Sequence, residues 1–233
     1  THKHHNIQQY NNMKSISHSG PIRIWLLSTI IMVILMILIG GVTRLTDSGL
    51  SMVEWRPLWG FLPPISQFEW NRVFELYMKS PEYIFKNKGM SLEEFKEIFF
   101  WEYFHRLWGR LIGIIFIIPL LFFIIVKKIP KSILSKLFLI LFLGGLQGLI
   151  GWWMVKSGLV NDPTVSQYRL TIHLSNALLI LSLLIWVYLD VKEGVSQIKP
   201  DFSFFMFSIL FITIIAGAFV AGMDAGLMYN EYP

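Results

Sequence analysis

Five runs of apolar residues, each long enough to cross a lipid bilayer, constrain the fold of this chain most strongly. A membrane-spanning helix needs about 20 such residues, and a helix satisfies its own backbone hydrogen bonds in lipid. Hydrophobic residues make up 54% of the 233-residue chain, more than a soluble domain of this size needs. The first run is too long for a removed signal peptide and lacks a small-residue cleavage site. We therefore predict an all-α, multi-pass integral membrane protein whose spans cover residues 22–42, 103–126, 133–155, 168–189 and 202–223.

The apolar runs divide the chain into three expected units. Residues 1–20 are rich in His, Asn and Ser and predict a disordered N-terminal tail. Residues 21–190 predict a four-helix transmembrane bundle with an outer loop at residues 43–101. Residues 191–233 predict a linker and the first helix of a second, truncated bundle.

An internal repeat supports the second bundle. Residues 40–50 (GGVTRLTDSGL) and residues 217–227 (GAFVAGMDAGL) share Gly, Asp, Gly and Leu at a constant offset. Chance similarity between two helix ends rich in small residues is the alternative. If the repeat holds, spans one to four form one unit and span five opens a second, pseudo-symmetric unit. The second unit is then incomplete, and the absence of an initiator Met also suggests a fragment.

The distribution of basic residues predicts the orientation in the membrane. The formal net charge is +5, but much of it lies in short loops beside the spans and so does not indicate nucleic-acid binding. The loop between spans three and four offers only Lys156 and Arg169, whereas the loops on the other side are rich in lysine. By the positive-inside rule, the N-terminus lies in the cytoplasm or matrix and residues 43–101 lie outside. The chain has no cysteine, which excludes disulfides and thiolate ligands.

Two histidines lie at matching depths in two of the spans. His105 follows the start of span two by a few residues, and His173 does the same in span four. Because both spans are predicted to run inward, both side chains lie roughly 5–8 Å below the outer boundary. Ionisable residues within a span are costly and usually functional, and a histidine pair facing across a bundle suggests axial ligands of a haem iron. The alternative for each histidine is a hydrogen bond to a neighbouring helix.

Three charged residues accompany His105. Glu102 shares its helix face and could exchange protons at the rim of a dry pocket, or could be a solvated carboxylate at a helix N-terminus. Arg106 and Arg110 could hold haem propionates by bidentate pairing, or could extend to the interface, which is easier for Arg106. The Glu-x-x-His pattern also occurs in di-iron bundles, but the matching position before His173 is Leu170, so a di-iron site lacks ligands.

Two further patterns concern packing. Residues 66–69 (SQFE) and 91–94 (SLEE) fit capping boxes, and helical apolar spacing follows each of them. They predict two amphipathic helices at the membrane surface, the second running directly into span two. Span three has four glycines at residues 144–151, which predict close helix packing and would also make room for a bulky planar ligand. Gln147 lies among them and needs a polar partner or water.

Several segments together resemble the haem A synthase family, in particular its proteobacterial and mitochondrial branch. The resemblance covers residues 25–233 and is highly specific. The absence of a cysteine pair in the outer loop fits that branch. The segments are GGVTRLT, SGLS and EWRP within residues 40–57, EYFHRLWGR at 102–110, QGLIGWWMVKSGL at 147–159, RLTIHL at 169–174 and GAFVAGMDAG at 217–226.

The resemblance implies a membrane enzyme that converts haem O to haem A for terminal oxidases, in the bacterial plasma membrane or the mitochondrial inner membrane. It implies eight spans in two pseudo-symmetric four-helix bundles, each with a histidine pair. His105 and His173 would face the haem O substrate, and Glu102 would take part in oxidising a methyl group to a formyl group. A haem b that passes electrons would lie mainly in the second half, whose histidines this sequence lacks.

The partners implied by the resemblance are haem O, membrane lipid, haem O synthase and an electron-transfer protein, with homo-oligomerisation left open and no nucleic acid. Two rival functions are also left open. An electron-carrying b-type cytochrome would keep both histidines but would not need Glu102. A haem chaperone would bind haem reversibly and leave its methyl group untouched.

Overall fold

The computed structural model describes residues 20–54, 60–160, 163–194 and 202–228, and the regular elements in these ranges are all α-helices. Five of the helices are long and apolar enough to cross a membrane, so the predicted all-α, multi-pass fold is confirmed. The predicted N-terminal tail, the last three residues of the EWRP segment and most of the linker after residue 194 fall outside the described residues. The long helices are α1 (Gly20–Leu45), α4 (Leu92–Ile125), α5 (Lys131–Gly158), α6 (Gln167–Glu193) and α7 (Phe202–Gly222), and the short ones are α2 (Gln67–Tyr77), α3 (Pro81–Phe85) and α8 (Ala225–Met228).

The first four long helices pack as a bundle in which α4 and α6 occupy opposite corners. Helix α1 packs along both α4 and α6, while α6 also packs along α5 and α7. Helices α4 and α5 meet over a much smaller region. This order places the helices that carry His105 and His173 diagonally across the bundle, an arrangement in which facing side chains can share a ligand.

The apolar core of the bundle fills one end only. Its buried side chains come from the start of α1, the last turns of α4, the first half of α5 and the last turns of α6. The other end, where α1 and α5 finish and α6 begins, contributes no residue to this cluster among those that the structure describes. We call this other end the histidine end, because it contains His105 and His173. Fully buried members of the core are Ile22, Leu26, Leu120, Ile133, Leu137, Leu184, Val187 and Val191.

A buried ion pair lies at the core end of the bundle. Asp190 of α6 is fully buried, and its Oδ2 lies 2.5 Å from Nζ of Lys136 in α5. The Lys136 ammonium also lies 4.0 Å from the centre of the Trp186 ring. Lys136 lies within the third predicted span and Asp190 one residue beyond the fourth, and the sequence did not indicate that the two would pair.

The segment before α4 forms a compact cap on the bundle. Ser91 and Glu94 make the full capping box, and α4 continues without interruption from Leu92 into the span, as predicted. Ser66 accepts a hydrogen bond from the Glu69 N–H, but the Glu69 carboxylate pairs with Arg72 and does not close the box. The apolar faces of α2, α3 and α4 meet around a buried cluster consisting of Tyr77, Phe95 and Phe99. We call residues 67–91, which contain α2 and α3, the outer cap. The place of the outer cap at the membrane surface stays a prediction.

The outer cap should become less stable as the pH rises through neutrality. Burial raises the pKa of Glu82 to about 7, although the Tyr77 hydroxyl donates a hydrogen bond to its carboxylate at 3.0 Å. Since this pKa lies above the unfolded value, the stabilisation is complete below pH 4.5 and is lost as the pH passes 7. The expected loss is about 3 kcal/mol. Amide hydrogen exchange in α2 and α3, corrected for intrinsic rates, should show stronger protection at pH 5 than at pH 8. Glu82→Gln should remove the difference, and equal protection in the unsubstituted protein would contradict the prediction.

The two repeated segments end their helices in the same way. The Asp47 N–H donates to the Arg44 carbonyl at 3.3 Å, and the Asp224 N–H donates to the Ala221 carbonyl at the same distance. Asp47 and Asp224 both adopt left-handed backbone conformations, with φ of 47° and 51°. The Arg44 guanidinium forms ion pairs with both aspartates and so ties α7 to the end of α1. This likeness supports the repeat, and the complete second bundle stays a prediction.

Candidate functional site

His105 and His173 lie at the histidine end, each against a glycine of a neighbouring helix. A Cβ built on Gly40 of α1 would come 3.2 Å from His105 Nε2. A Cβ built on Gly151 of α5 would come 3.0 Å from His173 Cε1. The structure therefore places the two histidines that the sequence singled out on diagonal helices at the same end of the bundle, and the two glycines provide the room for their rings.

Most of the small-residue stripe in α5 does not pack tightly. A Cβ added at Gly144, Gly145 or Gly148 would meet no atom within 4 Å, whereas Gly151 touches His173. Close packing of helices was the expected reason for these glycines, and at three of the four positions it is wrong. These positions leave space beside the helix, which fits the other expectation, that the stripe makes room for a large planar ligand.

A polar network on α5 and α6 surrounds His173. The Gln147 amide nitrogen donates to the His173 carbonyl at 3.1 Å and lies 3.3 Å from His173 Nε2. Asn176 donates to Gln147 Oε1 at 2.7 Å and to the Leu143 carbonyl at 3.1 Å. The polar partner expected for Gln147 is thus confirmed. Sequence reasoning missed Asn176, although an amide one helical turn after His173 in an apolar span was a usable signal.

The donor set at the histidine end suits a haem iron better than a bare metal ion. In the part of the chain that the structure describes, no group of three or more His, Cys, Asp or Glu side chains is arranged to hold a metal. A bare transition metal usually needs three or four protein ligands, whereas a porphyrin supplies four nitrogens of its own and needs only axial ligands. His173 Nδ1 is buried and has no hydrogen-bond partner among the described residues. The two imidazoles, together with the open space at Gly144, Gly145 and Gly148, therefore fit a haem.

Glu102 lies in a closed polar cluster between α4 and the outer loop. Its side chain is buried, and its Oε2 accepts hydrogen bonds from the Ser51 hydroxyl and the Met52 N–H, both at 2.7 Å. Its Oε1 forms an ion pair with Arg106 one turn later. A solvated carboxylate at a helix end, one of the two sequence interpretations, is therefore wrong. The cluster fixes the carboxylate in position at the mouth of the bundle.

Arg106 and Arg110 both turn towards the outer loop. Arg106 donates to the Met52 carbonyl at 3.3 Å in addition to its ion pair with Glu102. Arg110 donates to the Gly60 carbonyl at 3.0 Å. Both guanidinium groups thus anchor the loop over the histidine end. A guanidinium carries five N–H donors in a planar fork that also matches a carboxylate.

A cavity of about 300 Å³ lies between the outer loop and α2, on the far side of the Glu102 cluster. Ser51 and Met52, which hold Glu102, also form part of its wall. Arg72 bridges the carboxylates of Glu54 and Glu69 at its rim, at 2.9 Å and 3.3 Å. The cavity is at the lower limit for a small-molecule site and is too small for a porphyrin. Sequence reasoning missed this group, because Glu54 lies outside helix α2, 18 positions before Arg72.

Comparison with known proteins gives consistent results. The family model described as cytochrome oxidase assembly protein (COX15-CtaA) matches residues 23–233. The heme A synthase of Nitrosospira multiformis is 51% identical over 221 residues, which cover 91% of this chain and 62% of the relative. Those of Parvibaculum lavamentivorans and Granulibacter bethesdensis are 44% and 48% identical, covering 94% and 90% of this chain and 65% and 58% of the relatives. The chain thus spans about three fifths of the length of these curated relatives. No solved structure matches.

Proposed function

Because this chain belongs to the COX15-CtaA family of cytochrome oxidase assembly proteins, we propose that it acts as a haem A synthase, an oxidoreductase that converts haem O to haem A. The family resemblance seen in the sequence is thereby confirmed. Haem A serves terminal oxidases, which agrees with the description of the family. The observation that supports the activity most strongly is the similarity to several heme A synthases over at least 90% of the chain.

The haem O substrate binds between His105 and His173. Three observations support this placement: the diagonal position of α4 and α6, the open space beside α5, and the two glycines that face the imidazole rings. Two imidazoles would hold the iron and fix the orientation of the ring. Arg106 and Arg110, at the mouth of the bundle, would bind the propionates, because the planar fork of a guanidinium matches a carboxylate.

Glu102 would hold and move a proton during the oxidation. Each hydroxylation replaces a methyl C–H with a C–O bond from water and releases two electrons and two protons. The electrons would go to an acceptor partner in the membrane. A buried carboxylate one helical turn before His105 is suited to take one of the protons. The Ser51 hydroxyl and the Met52 N–H hold this carboxylate in a fixed direction.

Pigment analysis distinguishes this proposal from the two rival functions. The chain is expressed in a membrane host that makes haem O but has no haem A synthase of its own, and the haems bound to the purified protein are extracted. Haem A, or haem O hydroxylated at the methyl group, is the expected result. Unmodified haem O would favour a chaperone, and haem b alone would favour a b-type cytochrome; either finding contradicts the proposed activity.

Gly40→Ala should weaken haem binding by about tenfold, because the added methyl group would crowd His105 and overpacking costs about 1–3 kcal/mol. Gly41→Ala is the matched control, since a Cβ at this neighbouring position meets no atom within 4 Å. Titration of both purified variants with haem O, followed by the Soret absorbance, measures the difference. Equal affinities for the two variants would show that the space left by Gly40 beside His105 is not needed for haem binding.

The N-terminus should face the cytoplasm or matrix and the outer cap should lie on the other side. The lysine-rich loops beside the start of α1 and between α4 and α5 support this orientation. A topology reporter inserted between Lys88 and Gly89, which are exposed, should be detected outside. The same reporter between Lys127 and Lys128 should be detected inside. Detection of the first reporter on the inner side would overturn the orientation.

A further inference from the structure

We propose that Asn176 and Gln147 are positioning residues that hold His173 in the tautomer whose Nε2 is free of a proton and available to iron. This inference rests on the proposed haem site, but it concerns the protein before haem binds. It assigns a role to two amides that the proposed chemistry does not use.

The direction of every hydrogen bond in this network follows from the Leu143 carbonyl. A carbonyl only accepts, so the Asn176 group that faces it at 3.1 Å is the NH₂ group. The same NH₂ group lies 2.7 Å from the Gln147 side chain, which must therefore present its oxygen there. The Gln147 NH₂ group consequently points to His173, where it donates to the backbone carbonyl at 3.1 Å.

The remaining Gln147 N–H determines the protonation of the imidazole. It lies 3.3 Å from His173 Nε2, and because it is a donor, the ring nitrogen must accept. The proton of the neutral ring then resides on Nδ1, which is buried and has no partner among the residues that the structure describes. A neutral histidine side chain in water favours the opposite tautomer, with its proton on Nε2. The network thus selects the tautomer in which Nε2 carries no proton and can bind a metal.

Haem binding would break only one weak contact. When iron takes Nε2, Gln147 loses the 3.3 Å interaction but keeps its bonds to the His173 carbonyl and to Asn176. The amides that set the tautomer therefore keep their own positions after the ligand arrives. Loss of a residue that orients a metal ligand from outside the coordination sphere costs about 10–100-fold in affinity, and we expect a loss of this size for these two amides.

The tautomer of His173 can be measured directly in the haem-free protein. The chain is labelled with ¹⁵N-histidine and studied in lipid nanodiscs at pH 8 by long-range ¹H–¹⁵N correlation, with His173→Phe used to assign the signals. In the unsubstituted protein, His173 should have a protonated Nδ1 and an unprotonated Nε2. Gln147→Met removes the amide and should shift the population towards the Nε2-protonated form. Asn176→Leu frees the Gln147 amide to rotate and should give a mixture of both tautomers.

A second glutamine–asparagine pair provides a matched control. Gln67 and Asn71 of α2 form a hydrogen bond at 3.1 Å on the exposed surface of the outer cap. Gln67→Met and Asn71→Leu should leave the His173 signals unchanged. In haem O titrations, Gln147→Met and Asn176→Leu should weaken binding by about 10–100-fold, and the two control substitutions should not.

The results separate this inference from the proposed function. A protonated Nε2 in the unsubstituted protein would overturn the inference even if no variant folds, and so would an unchanged tautomer in Gln147→Met. Neither result would affect haem A formation in the pigment analysis. Conversely, the expected tautomers together with no haem A would contradict the proposed function and leave the positioning role intact.

Discussion

Replacing His105 or His173 by alanine should lower the affinity for haem O by more than about 100-fold. Loss of a residue that merely orients a metal ligand costs about 10–100-fold, so loss of the ligand itself should cost more. The bundle should still fold, because its apolar core lies at the other end from both histidines. Soret titrations of the purified variants measure the affinity, and circular dichroism checks the helix content.

His18→Ala is the control for these two substitutions, since His18 precedes the first span. It should bind haem O as tightly as the unsubstituted chain. If His105→Ala and His173→Ala both keep that affinity, the haem lies elsewhere and the pair is only structural. If one of the two keeps it, the iron has a single histidine ligand from this bundle.

Glu102→Gln should bind haem O normally and lower the rate of haem A formation by at least about 100-fold. General acid–base groups contribute about 10²–10⁴-fold to rates, and glutamine cannot exchange the proton. Its carboxamide oxygen still accepts the hydrogen bonds from the Ser51 hydroxyl and the Met52 N–H, so these two contacts should hold the loop even though the charge opposite Arg106 is lost. Haem extraction after a timed reaction gives the rate, and Soret titration gives the binding.

Glu102→Ala tests this role less well, because it also removes every contact that the carboxylate makes with the outer loop and with Arg106. Arg106 would lose its buried partner, and removal of one member of such a pair costs about 3–5 kcal/mol. We therefore expect Glu102→Ala to loosen the outer loop as well as to lose activity. Glu93→Gln, an exposed carboxylate near the start of the same helix, is the control and should be fully active. Normal haem A formation by Glu102→Gln would show that the carboxylate only anchors the loop.

The spans and the histidine pair could be predicted because they depend on local patterns. A run of apolar residues reports a membrane helix wherever its neighbours lie, and the capping box at Ser91 marks the start of α4 without reference to the rest of the chain. The matched depths of His105 and His173 followed from the direction of their helices. These predictions required no knowledge of which helices touch.

The polar partners could not be predicted, because they depend on contacts between distant segments. Glu102 was expected at a solvated helix end or a pocket rim, yet residues 51 and 52 of the loop close over it. Asp190 was taken to lie outside the spans, yet α5 and α6 run on together and bury it against Lys136. In each case a residue's environment is set by a segment about 50 positions away, which periodicity does not report.

The packing around the glycines of α5 could not be predicted from the sequence either. Small residues in a span favour close helix packing, and this general rule predicted tight contacts at residues 144–151. Only Gly151 has such a contact, and it is with the His173 ring. A small residue leaves room for a helix or for a ligand, and the sequence does not distinguish the two. The open space at the other positions is what connects this stripe to the proposed haem site.

A structure of this chain with haem O bound tests the central proposal most directly. We expect the iron to lie between α4 and α6, bonded to Nε2 of both His105 and His173, with the Gln147 amide still bonded to the His173 carbonyl and to Asn176. A haem bound outside the bundle, or an iron bonded to neither of these histidines, would contradict the proposal.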